Sequence, residues 1–128
     1  MRTAPANPEQ FLPLTPAVFH VLLALAGGER HGYAIMQEVA ASTQGRIKMG
    51  PGTLYGTIKR LLRAGLIEES DERPDPKMDD ERRRYYRLTA LGQRMARAEA
   101  GRYADLVAAA RGTQLLGKPA RILNPAAS

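Results

Sequence analysis

Cysteine is absent from this 128-residue chain, and so is tryptophan. Without a thiol there is no disulfide, no thiolate nucleophile and no cysteine-ligated metal, so the fold must be held by an aliphatic core, which a chain of this length is able to build. Aromatic residues are few, at 5%, and the two histidines, His20 and His31, fall on different expected helices with no acidic motif beside them. Gly50-Pro51-Gly52 interrupts any Walker-type phosphate loop. These gaps remove the usual carriers of catalysis: no catalytic residue, metal ligand or cofactor is expected, and the chain does not read as an enzyme. No apolar run approaches the ~20 residues that cross a bilayer. Residues 1–13 lack the apolar centre of a signal peptide. A soluble, cytoplasmic protein without a membrane partner is the expectation.

A local absence is more informative. No Asp or Glu occurs between Glu38 and Glu68, a span that holds Arg46, Lys48, Lys59, Arg60 and Arg63. The whole chain carries a formal charge of +6 and has a pI near 10.1. A one-sign field of this kind attracts polyanions, whereas an ordinary solvated face mixes both signs. A merely solvated basic face is the alternative to weigh.

The centre of the span, residues 50–64, reads as a helix with Gly50 as N-cap and Pro51 at its first position. At about 100° per residue, Leu54, Ile58, Leu61 and Leu62 share one side. Gly52, Thr53, Gly56, Lys59, Arg60 and Arg63 share the other. The outer face is thus low in relief near the helix start and cationic further on, which suits close approach to a groove and contact with phosphates.

The flanking sequence supplies a setting. Residues 1–14 read as a flexible arm. Thr15-Pro16 starts a first helix in which Val18, Phe19, Leu22, Leu23, Leu25 and Ala26 point to wide burial, ended by Gly27-Gly28 in a left-handed turn. His31-Gly32-Tyr33 opens a second helix with Ile35, Met36, Val39 and Ala40 inward. Residues 46–49 form either a short strand or an extended link into the basic helix, and the pair suggests helix-turn-helix geometry. Residues 66–69 and 83–88 pair as a hairpin, or wing, with one of Tyr85 and Tyr86 facing outward. The connection over 70–82 carries six acids against three bases and two prolines, which makes its tip a poor DNA clamp. Basic residues gather instead at the hairpin base, including Arg83, Arg84 and Arg87. Thr89 caps a long alanine-rich helix over 89–111, whose stripe of Leu91, Met95, Ala98, Tyr103, Leu106, Val107 and Ala110 exceeds what one small domain needs. Such a helix either pairs with a second copy or folds back on its own domain.

These segments resemble the PadR family of bacterial winged-helix transcriptional regulators. The resemblance rests on the apolar first helix, His31-Gly32-Tyr33, Gly50-Pro51-Gly52-Thr53-Leu54-Tyr55 with Gly65-Leu66-Ile67, and Arg83-Arg84-Tyr85-Tyr86-Arg87-Leu88-Thr89 with Gly92. It implies a homodimer that binds double-stranded DNA at an inverted repeat and usually represses, with Tyr33, Gly52, Thr53 and Tyr55 at or near the DNA. Lys48, Lys59, Arg60, Arg63, Arg83 and Arg84 join that set from charge. The C-terminal part is similar to the short subclass with one dimerising helix. Some short members stack flat aromatic compounds on tryptophan, which this chain lacks, so the nature of any small-molecule effector stays open.

The expected fold is mainly α with a small β-hairpin: a winged helix-turn-helix domain over 15–88, a dimerisation helix over 89–111 and a tail over 112–128. The competing reading is a winged-helix module that binds protein without specific DNA contact.

Overall fold

The computed structural model describes residues 12–70 and 84–117, with elements α1 (Pro16–Ala26), β1 (Arg30–His31), α2 (Gly32–Ser42), α3 (Pro51–Ala64), β2 (Ile67–Glu69), β3 (Tyr85–Leu88) and α4 (Ala90–Gly112). The arm before Leu12, the expected wing loop beyond Ser70, Arg83 and the tail after Gly117 lie outside the described residues. The fold class is as the sequence predicts, with one element more than expected. The hairpin is part of a three-stranded antiparallel sheet in the order β1-β3-β2. Ile67 faces Leu88 in one ladder and Arg30 faces Tyr86 in the other.

Local chemistry sets each boundary. Thr15 accepts the Val18 N–H through its hydroxyl, and Pro16 follows at N1. At the other end of α1 the expected left-handed turn is displaced: Gly27 keeps a helical φ of −81° and Gly28 takes the positive φ of 138°. His31 caps α2 by accepting the Ala34 N–H on Nδ1 at 3.1 Å. Gly50 caps α3 without a side-chain bond, and Gly65 closes it in the left-handed conformation. Residues 47–50 form an extended link, not a strand, and Met49 is buried there.

The core draws Val21, Leu22 and Leu25 from α1, Ile35 and Val39 from α2, and Leu54, Ile58 and Leu61 from α3, closed by Leu66, Ile67, Tyr86 and Met95. Each such side chain contributes about 1.5–3 kcal/mol by leaving water. Two sequence expectations change here, and one alternative left open is decided. Leu23 is exposed and Val21 takes its place, because α1 presents one face to α4 and another to α2 and leaves a strip to solvent. Thr57 is fully buried on α3, while Leu62 is only half-buried. Tyr86 is the inward tyrosine of the hairpin, and half-buried Tyr85 meets the His31 ring edge-on at 5.3 Å.

Two glycines mark close approaches between elements. A Cβ on Gly32 would run into the phenol of Tyr55, which ties the start of α2 to α3. A Cβ on Gly92 would strike the Leu66 carbonyl oxygen, the acceptor of the Thr89 N–H. The first turn of α4 is thereby seated directly on the chain leaving α3.

One side chain fixes α4 to the N-terminal segment and has no signature in the sequence. Glu99 is fully buried. It accepts the Leu14 N–H at 2.9 Å and is gripped by Arg102 at 2.6 and 3.1 Å. The Arg102 hydrogen bond, helped by Leu14, holds its carboxyl below the ordinary carboxylate range against the opposing effect of burial. A lowered folded-state pKa means the stabilisation is complete above the unfolded value of about 4.3 and is lost as pH falls through the folded one. Glu99→Gln is expected to cost about 2 kcal/mol at neutral pH. It should also flatten the acid limb of the stability curve below about pH 4. Urea melts between neutral pH and the acid limb check both, and identical pH profiles for the two proteins would remove Glu99 from the account.

Candidate nucleic-acid interface

α3 is strongly two-sided. Leu54, Thr57, Ile58 and Leu61 are buried, whereas Gly52, Thr53, Lys59, Arg60 and Arg63 are exposed. Around Gly52 and Gly56 there is room for a side chain, with no atom beyond their chain neighbours and the helix's own backbone within 4 Å of where a Cβ would stand. The helix therefore presents a shallow strip beside Thr53, followed by cations one to two turns later. Lys48 is exposed on the link that feeds α3, Tyr33 is 46% exposed in the first turn of α2, and Arg84 is exposed at the start of β3.

Ion pairing separates the cations into two groups. On the sheet, Arg87 is bridged to Glu68 at 2.8 Å and to Glu29 at 3.6 Å, and Arg30 is held by the Ala24 carbonyl at 2.8 Å and Glu38 at 3.7 Å. Their charge is locally answered. Among the described residues, no carboxylate pairs with Lys48, Lys59, Arg60, Arg63 or Arg84. Among the described residues, the uncompensated cations thus lie on α3, on the link that feeds it and at Arg84 beside β3, whereas Arg30 and Arg87 within the sheet are paired.

Tyr55 is half-buried: its ring lies over Gly32 and packs against the core, which places it in the α2–α3 contact at the margin of the open face. Its spacing from Leu54, Ile58 and Leu62 fits that position on the flank of the buried stripe.

The long helix is also divided. Gly92, Met95, Ala96 and Glu99 are buried in the protomer, Leu91 packs on the core, and Tyr103 stacks on Phe19 of α1 at 5.1 Å. Met95 is 2% exposed and cannot present itself to a second chain, and Leu91 and Tyr103 are largely engaged within the protomer. Ala98 is half-buried beside the segment at Leu12. Beyond Tyr103 the same face of the helix runs past its own domain, leaving Leu106 51% and Val107 38% exposed, with Leu116 44% exposed just after the helix. Ala110 continues that face. No helix among the described residues is long and apolar enough to cross a membrane, and none of their acidic or histidine side chains cluster as a metal site.

Comparison with known proteins places this architecture. An uncharacterised 37.1 kDa protein in transposon TN4556 of Streptomyces fradiae is 36% identical over 86 residues, which span 67% of this chain and 22% of that protein. The chain thus corresponds to under two thirds of that relative's length. A transcriptional regulator from Streptococcus is 26% identical with a TM-score of 0.61, covering 76% of this chain and 90% of that one. A PadR family transcription regulator from hypervirulent Clostridium difficile shares the fold with a TM-score of 0.61 at 21% identity, covering 79% of this chain and 98% of that one. The model of the transcriptional regulator PadR-like family matches residues 21–98, from α1 to the middle of α4. With a winged helix-turn-helix core and more than half its length inside that match, this chain belongs to the transcriptional regulator PadR-like family.

Proposed function

We propose that the chain is a cytoplasmic, DNA-binding transcriptional repressor that acts as a homodimer on an inverted repeat. The observation that carries the reading is the exposed strip of α3, shallow at Gly52, Thr53 and Gly56 and cationic at Lys59, Arg60 and Arg63 without acidic partners. A helix of that relief fits the major groove, with its N-terminal residues at base edges and its later cations at phosphates. Lys48, Tyr33 and Arg84 flank the strip and extend the backbone contacts. Residues 15–88 form the DNA-reading unit in this scheme.

Residues 89–111 form the dimerising helix, with its second half as the seam. Leu106 and Val107, with half-buried Ala110, continue a stripe whose first half already packs on α1 and are left exposed or partly exposed. Burying them against a second copy supplies the symmetry that an inverted repeat mirrors. The function needs no cofactor and no catalytic step.

Selection from a pool of random duplexes tests this. The wild-type protein should enrich sequences with two similar half-sites in inverted orientation, centred about one helical turn or a whole multiple apart. Recovery of unrelated sequences after repeated rounds would contradict specific readout.

A further inference from the structure

The three cations of α3 are not equivalent. Lys59 and Arg63 project from the outward centre of the helix with no side-chain partner among the described residues. Arg60 stands on the flank, in line with Thr53, Thr57 and Ala64 at the i, i+4, i+7 and i+11 positions of one strip. Thr57 on that strip is fully buried, and its hydroxyl bonds in two directions. It donates to the Thr53 carbonyl at 2.8 Å and accepts from Arg60 Nη2 at 3.3 Å. On its other side Arg60 borders a largely apolar cavity of about 320 Å³ walled by Leu14, Val18, Leu61, Leu91 and Met95, where the one hydroxyl in the wall, that of Thr15, accepts the Val18 N–H and makes no bond to Arg60. Among the described residues, Thr57 is then the one side chain that accepts a hydrogen bond from this guanidinium.

We propose that Thr57 is a positioning residue for DNA recognition: its buried hydroxyl fixes the Arg60 guanidinium on the flank of α3, next to the Thr53 end of the strip, before DNA arrives. The inference rests on the reading of α3 as the DNA-contacting helix. Helical side chains lean toward the N-terminus, so a pinned Arg60 is directed along the strip toward Thr53. A guanidinium already held in place loses less side-chain freedom on binding than Lys59 or Arg63. Thr57 itself touches no DNA, because it is buried.

Two measurements on the full chain test this. In the free protein, ¹⁵N relaxation of the arginine Nε–H groups should show Arg60 restricted and Arg63 mobile. Thr57→Val, which keeps the shape and removes the hydroxyl, should release Arg60, and Thr57→Ser should restore the restriction. A mobile Arg60 in the wild type overturns the proposal whatever the protein does with DNA. Binding to the duplex enriched from the random pool is the second measurement. Thr57→Val and Arg60→Gln should each weaken it by about three- to tenfold, and Thr57→Ser should stay within about twofold of wild type. The double variant should bind no more weakly than Arg60→Gln alone. A further loss from Thr57→Val in the Arg60→Gln background, or none in the wild type, overturns the positioning role. A restricted Arg60 in a protein that enriches no duplex would instead count against the DNA reading and leave the Thr57–Arg60 link standing.

Discussion

Leu106→Glu is expected to convert a dimer into a monomer at micromolar concentration. Leu106 is 51% exposed on the part of α4 that extends past its own domain, so the substitution removes no contact from the protomer core. In the proposed seam, however, a carboxylate would have to be buried against apolar side chains of a second copy, a desolvation cost of several kcal/mol. Folding and assembly should therefore separate: the thermal melt of the variant stays that of an intact domain while sedimentation reports half the mass. The effect on DNA should be larger still. Two α3 helices on one dimer engage two half-sites at a high effective concentration, and a monomer loses the second one. Affinity for the full inverted repeat should fall by about 10²–10⁴, toward that for a single half-site. Equal masses for wild type and variant would remove the seam at Leu106, and an unchanged affinity would show that one protomer suffices.

That prediction concerns a stripe whose extent was plain in the sequence but whose partners were not. From Leu91 to Ala110 the spacing is one continuous helical face, and periodicity carries no mark of where the protomer stops covering it. The structure supplies the mark. Met95 lies in the core, Tyr103 rests on Phe19, and Leu106 is the first large side chain left uncovered. Glu99 sits in the middle of this apolar face, where a carboxylate reads as a surface residue. Its burial depends on Leu14, distant in sequence, and on an arginine one turn away.

The elements with strong local chemistry were legible. Thr15-Pro16, Pro51, Gly65 and Thr89 set the ends of three helices through caps and backbone geometry that act within a few residues. β1 was not, because two residues are too few for any alternation, and Arg30 and His31 become a strand only by pairing with Tyr86 and Tyr85. Tyr55 and Thr57 show the same limit at the candidate site. Both sit on α3, where the helical wheel alone leaves them at the margin of the inward face. Neighbouring elements decide them: Gly32 admits the Tyr55 ring, and Thr57 satisfies its buried hydroxyl on the Thr53 carbonyl. Gly52, Thr53, Lys59, Arg60 and Arg63 of the same helix are exposed as the wheel predicts, because they lie opposite the leucine stripe, while Gly56 is half-buried at its edge.

The central claim is that this strip meets DNA, with separate roles along its length. Lys59 and Arg63 are assigned to phosphates, so Lys59→Ala with Arg63→Ala should weaken binding to every duplex alike. The pair should lower the magnitude of the slope of log affinity against log salt by about two. At intermediate salt, about two orders of magnitude in affinity should disappear. Thr53 lies at the shallow end and is assigned to a base edge through its hydroxyl and to a thymine methyl through its own methyl, so Thr53→Val should shift sequence preference and leave the salt slope near that of wild type. The most direct measurement is a salt titration of wild type, the Lys59/Arg63 double variant and Thr53→Val on one enriched inverted repeat and one scrambled duplex. The account predicts a reduced slope on both duplexes for the double variant, and a loss confined to the inverted repeat for Thr53→Val. Affinities and slopes equal to wild type for both variants on both duplexes would contradict it.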